Sequence, residues 1–250
     1  MKCRRTIHFR LTAALGGLVI FFIAGSCSVS QDVLLQQGGR GTADIEIVLQ
    51  PVLVRYFSDL LEFAGEGDSH SIFDEKAIRS SFASIPELEL QDVKVVSKGE
   101  LHLKVAFRDI KTAFFRQVGS EVEPAVEVFR GNEGWETSLY LDTENYGRIV
   151  DRMLILTGMA AFEDYLTGLL EPGPEEVIVD MYEYAFEDYL RGESVENLLE
   201  KSEILLAFTV PEEILGHRGG RAGKRSITYS IPLLDILTLD KPIYYHFLYR

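Results

Sequence analysis

The chain holds two cysteines, Cys3 and Cys27. A thiol can act as a nucleophile, half of a disulfide, a metal ligand or an acceptor of lipid, and its spacing from other residues selects among these. Cys27 closes the stretch FFIAGSC (21–27), directly behind the small residues Gly25 and Ser26. Cys3 sits beside the initiator methionine. If the chain is cut before Cys27, Cys3 leaves with the removed piece. The remainder then has no partner for a disulfide and no cysteine set for zinc. Three readings stay open: an attachment point at the first residue of the processed chain, a chance cysteine just past an ordinary cleavage site, and an uncleaved anchor.

What precedes Cys27 follows the three-part plan of a secretory signal peptide. Lys2, Arg4, Arg5 and Arg10 form a positive start, and LTAALGGLVIFFIA (11–24) is the apolar run. That run falls short of the ~20 apolar residues of a spanning helix, and Gly16 and Gly17 weaken it as a helix. Small residues leading straight into cysteine resemble the lipobox of bacterial lipoproteins, in the relaxed form found in spirochaetes. Ala24 stands three places before Cys27, where that family usually has Leu. The resemblance implies that residues 1–26 are removed and that Cys27 takes a diacylglycerol and a further acyl chain such as palmitate. Each buried CH₂ would add about 0.8 kcal/mol to the hold on the membrane.

Other residue clusters suggest weaker chemistry. GHRGGRAGKRS (216–226) gathers Arg218, Arg221, Lys224 and Arg225, with His217, in an acidic chain. A phosphate loop needs Gly, four residues, then Gly-Lys-Ser/Thr. Here Arg218 occupies the first Gly position and Arg225 follows Lys224. The stretch therefore reads as a mobile hairpin connection, with an anionic ligand as the functional alternative. AFEDYLTG (161–168) and AFEDYLRG (185–192) are near copies. Their Glu163, Asp164, Glu187 and Asp188 could gather around a hard cation. Helix-on-helix packing by Phe, Tyr and Leu, with the acids in water, explains the copies more simply. His70, His102, His217 and His246 show no ligand spacing, so no metal and no cofactor is expected. There is no Gly-x-Ser-x-Gly elbow.

The elements that must carry these residues follow from periodicity and punctuation. Residues 28–36 and 42–50 read as a hairpin, turning at Gly38, Gly39 and Gly41. Pro51 opens a helix with Leu53, Tyr56, Phe57, Leu60, Leu61 and Ala64 on one stripe. Residues 65–70 read as a loop and 71–85 as a second helix, with Ser71 and Asp74 as a capping pair. Hairpins follow at 92–109, turning at Lys98–Gly99, and at 125–141, with GNEG at the tip. Helices are predicted at about 143–170, 175–191 and 194–202, then strands at 204–211, 227–232 and 242–250. The order predicts an α+β fold of mostly antiparallel hairpins with helices packed on one side. Residues 143–201 read as a helical insertion, and the first and last strands share one sheet in that scheme. One globular domain is expected over 27–250. Tyr229, Tyr244, Tyr245, Phe247 and Tyr249 either line an apolar cavity or form ordinary sheet faces.

The charge balance limits the partners. Removing residues 1–26 takes four of the 25 Lys and Arg and none of the 39 Asp and Glu, which moves the net charge from −14 to −18. Nucleic acid is excluded, because phosphate binding needs a basic footprint. The early hairpin, the Val-Pro at 210–211 and the terminal strands are similar to the LppM-like group of bacterial lipoproteins, which share an α+β domain behind the lipidated cysteine. That similarity implies an envelope lipid-handling role and assigns no functional residue. The expectation is a lipoprotein at the cell membrane or outer membrane, facing periplasm or exterior, with a non-catalytic binding or structural domain. Its ligand would be an envelope protein, a lipid or a glycan. The alternatives are a lipid or glycan carrier and a secreted hydrolase with a carboxylate site.

Overall fold

The computed structural model describes residues 27–63, 71–110, 125–159, 162, 166 and 168–250. The predicted signal segment, the loop at 65–70 and the acids Glu163 and Asp164 lie outside them.

The structure is α+β, as the pattern of elements predicts. Strands β1 (Cys27–Leu35) and β2 (Gly41–Leu49) form the first hairpin. Helix α1 (Pro51–Phe63) follows, burying Val52, Leu53, Phe57 and Leu61. Helix α2 (Glu75–Ala83) leads into β3 (Leu88–Ser97) and β4 (Glu100–Phe107). The hairpin β5 (Val126–Arg130) and β6 (Trp135–Leu141) precedes helices α3 (Thr143–Leu156), α4 (Glu175–Phe186) and α5 (Val195–Glu200). The chain ends with β7 (Glu203–Thr209), β8 (Ile214–Arg218), β9 (Arg221–Ala222), β10 (Ser226–Pro232), α6 (Leu233–Thr238) and β11 (Ile243–Tyr249).

Two sheets result. The seven-stranded sheet runs β3-β4-β2-β1-β7-β10-β9, and the four-stranded sheet runs β5-β6-β11-β8. Pairings are antiparallel except that of β1 with β7, which sets Ser28 beside Glu203 and Leu34 beside Thr209. The last strand therefore belongs to the smaller sheet, not to that of β1 as the insertion scheme had it. Phe247 and Tyr249 explain this placement. Both are fully buried, and Phe247 packs at 5.3 Å on Phe208 of β7, so β11 closes the core from the side of the second sheet.

Period-two alternation fixes the first sheet. Val29, Val33, Ile45, Ile47, Leu101, Leu103 and Val105 are buried on one face, while Asp32, Asp44, Glu46 and Lys104 face solvent on the other. Gln31 breaks the apolar rule. It is 0% exposed in the middle of β1, and among the described residues neither of its amide atoms has a hydrogen-bond partner.

The helices begin and end at identifiable residues. Asp74, not Ser71, caps α2, accepting from the Lys76 and Ala77 amides at 2.8 and 3.0 Å. Ile72 and Phe73 are buried in a bend that precedes the helix. The predicted helix at 143–170 ends at Leu156. Gly158 adopts φ +71, and a Cβ there would come within 2.7 Å of the Asp74 carbonyl oxygen, so the chain turns where it meets the α2 cap. Asp142 opens α3 with a capping box, its carboxylate accepting from the Glu144 and Asn145 amides at 2.9 Å.

Candidate functional site

Cys27 is the first residue of β1 and pairs with Leu49 of β2. The strand behind it is interior to the sheet, hydrogen-bonded to β2 on one side and β7 on the other.

The basic stretch at 216–226 is not a mobile loop. It joins the two sheets. His217 and Arg218 lie on β8 and pair with Phe247 and His246, while Arg221 lies on β9 and pairs with Thr228. Between them Gly219 and Gly220, at φ +74 and +68, lie against the rings of Tyr245 and Tyr229. A Cβ at either position would meet ring carbons at 2.6–2.7 Å, so only glycine fits this turn. The Gly-rich composition that suggested mobility thus reflects close packing on tyrosine.

The four cations have different surroundings. The Arg218 guanidinium sits 5.1 Å from the Tyr244 ring centroid. Arg225 donates from Nε to the Val210 carbonyl at 3.3 Å. Lys224 occupies the exposed turn before β10, and its carbonyl accepts from the Ile214 amide. Arg221 lines a groove of about 480 Å³ with Glu203, Thr228, Ser230 and Tyr245. The Ser230 hydroxyl donates to Glu203 on its floor. Among the described residues, none of the four cations makes an ion pair with a carboxylate. The arrangement offers guanidinium, hydroxyl and aromatic surface to an anionic or hydroxyl-rich ligand.

The aromatic strand positions divide: Tyr244 is exposed and Tyr245 lines the Arg221 groove, while the other three are core. Tyr229, Phe247 and Tyr249 are fully buried. Tyr229 stacks on Tyr245 at 4.4 Å, and Phe247 packs on Tyr249 at 5.8 Å. Burial raises the Tyr229 hydroxyl, as does the neighbouring Tyr245, and it pushes Tyr249 up to about 12.

The duplicated hexapeptide marks two packing sites against α1. Phe162 of the first copy meets Phe57 at 4.9 Å, and Phe186 of the second meets Tyr56 at 5.1 Å. Glu187 and Asp188 are exposed just past α4.

His70 lies outside the described residues, and each of the three described histidines has a local partner. His217 Nδ1 lies 2.7 Å from the Gly219 carbonyl, and His246 Nε2 lies 3.3 Å from Glu136. His102 stands between two glutamates on the open face of the first sheet, with Nε2 2.9 Å from Glu100 and 3.7 Å from Glu46. Sequence reasoning missed this trio, since Glu46 reaches His102 only through the β2–β4 register. The signal within reach was Glu100-x-His102, a same-face pair on a strand.

No family model matches the chain, and no curated protein matches it. Among solved structures, the chain is similar to the folded domain of LppM from Mycobacterium tuberculosis, determined by NMR. That alignment covers 94% of this chain and 96% of that one at 9% identity, with a TM-score of 0.39. A likeness of this degree assigns neither a fold family nor a function. Among the described residues no helix is long and apolar enough to cross a membrane.

Proposed function

We propose that the chain is an envelope lipoprotein, held to the membrane through an acylated Cys27, whose folded part is a binding module and not an enzyme. The observation that carries this reading is the coincidence of two boundaries. The lipobox-like stretch ends at Cys27, and Cys27 pairs with Leu49, the last residue of β2 before Pro51 opens α1. Processing before Cys27 leaves every described strand intact and joins the fold to its anchor without a spacer.

The binding surface is the hairpin that carries Arg218, Arg221, Lys224 and Arg225, where cations without carboxylate partners among the described residues stand beside Tyr244 and Tyr245 in a chain of net charge −14. Tyr229, Phe247 and Tyr249 fill the core, which supports a module over a tunnel-like lipid carrier.

The test is intact mass and N-terminal peptide analysis of the protein made in its own host, beside Cys27→Ser. An acylated Cys27 at the mature N-terminus, lost in the variant, is the expected result. An unmodified N-terminus, or one elsewhere, overturns the lipoprotein reading.

A further inference from the structure

The open face of the seven-stranded sheet carries a second cluster, apart from the hairpin and from Cys27. Glu46 on β2 is the cross-strand partner of His102 on β4. Glu100 precedes His102 by two residues, so its side chain leaves the same face of the same strand. One imidazole nitrogen and two carboxylate oxygens therefore converge, all within 4.8 Å of one another. The two strands lie inside the sheet, between β3 and β1, so the ladder fixes the spacing of the three Cα atoms.

We infer that Glu46, Glu100 and His102 form a binding site for a divalent transition-metal ion of the Zn²⁺ class. Two of the three donor separations lie close to what such an ion needs. Ligands about 2.0–2.2 Å from a tetrahedral Zn²⁺ stand about 3.3–3.5 Å from each other. The imidazole nitrogen lies 2.9 Å from one carboxylate and 3.7 Å from the other, on either side of that range. Side-chain rotation would have to bring the two carboxylate oxygens, which lie within 4.8 Å of each other, to the same spacing.

The donor chemistry selects the metal. Imidazole beside two carboxylates suits Zn²⁺, Fe²⁺ or Mn²⁺, whereas Ca²⁺ and Mg²⁺ take oxygen ligands throughout. Three protein donors also leave a position for water. The surroundings favour a cation. Asp32, Asp44 and Asp92 line the adjoining groove of about 260 Å³. The nearby ammonium of Lys104 pairs with Asp44 at 3.5 Å, while among the described residues the ion-pair partner of both Glu46 and Glu100 is His102 itself. Lys94 of β3 stands across from His102 on its other side, but among the described residues neither glutamate makes an ion pair with a lysine or arginine.

The test uses the full chain in detergent, stripped of metal, and competition for Zn²⁺ against a chromophoric chelator. Co²⁺ serves as the spectroscopic probe. One Zn²⁺ per chain is expected, with affinity reduced at least about tenfold in His102→Ala and in Glu46→Gln. The visible Co²⁺ spectrum should be lost in His102→Ala and kept in His246→Ala, which removes the other histidine–glutamate pair. The side chains of Glu46 and His102 are 52% and 44% exposed, so both variants should keep the wild-type far-UV circular dichroism without metal. Wild-type chain that takes up no stoichiometric Zn²⁺, or binding that the two variants leave unchanged, overturns the site.

Discussion

At the scale of single residues, burial governs what the side chains can do. Tyr249 keeps its proton up to about pH 12 in the folded state, whereas an unfolded chain releases it near 10. The unfolded state is therefore the more ionised one above pH 10. Stability is whole below that pH and falls as pH rises towards 12. Tyr146 and Tyr229, also raised by burial, act in the same direction. Ultraviolet titration should show a delayed tyrosinate rise that coincides with loss of near-UV circular dichroism. Tyrosinate appearing near pH 10 with the fold intact would contradict the buried hydroxyls. Gln31 gives a second residue-scale prediction. Its buried amide, in register with Ile45 and Leu206, has no partner among the described residues, so Gln31→Leu should raise stability by about 1–3 kcal/mol in urea unfolding. A destabilised variant would mean that the amide has a bonding role.

At the scale of elements, boundaries are set by close approaches as much as by propensity. Gly158 places α3 against the Asp74 cap of α2. Gly158→Ala would add a Cβ at 2.7 Å from backbone oxygen on a left-handed residue. It should cost about 1–3 kcal/mol or more, measurable as a lower urea midpoint, and an unchanged midpoint would show that the α2–α3 junction can relax. Asp142→Ala should cost about 1 kcal/mol through the lost cap, a tenth or more of a typical domain's stability. Local pattern was readable at this scale. Alternation in 42–50 and 92–109 and the stripe behind Pro51 lead directly to β2, β3, β4 and α1. Three features were hidden, each for a physical reason. The glycines of 219–220 look like slack in a sequence but are contacts with Tyr245 and Tyr229. The apolar residues at 155–170 continue a helical period past Gly158, and only the neighbouring helix explains the stop. The His102 trio depends on a register that links residues far apart in the chain.

At the scale of the whole molecule, the two ends of the large sheet differ. The turn at Lys98–Gly99 and the strand start at Cys27 lie at one end, because Glu100 faces Val48 and Leu49 faces Cys27. The Lys224 turn lies at the other, because Ser226 pairs with Thr209 and Thr209 with Leu34. The nine residues of β1 separate the ends by about 26–30 Å. On the anchored reading, the basic hairpin faces away from the membrane. With the acylated protein in vesicles, a fluorophore on Lys98→Cys should be quenched by a headgroup quencher and one on Lys224→Cys should not. Equal quenching at both positions would sink that orientation.

The parallel pairing of β1 with β7 also dictates an order of events. Residues 27–107 contain four adjacent strands, β3-β4-β2-β1, that can zip together as hairpins once they leave the translocation or synthesis machinery. The remaining edge of β1 must then wait for Glu203–Thr209, which comes nearly a hundred residues after Phe107. Contacts this distant in sequence form slowly, and an open edge recruits other strands meanwhile. The half-made sheet is thus the species most exposed to aggregation and proteolysis, and an early role falls to whatever shields the unpaired side of the strand that begins at Cys27.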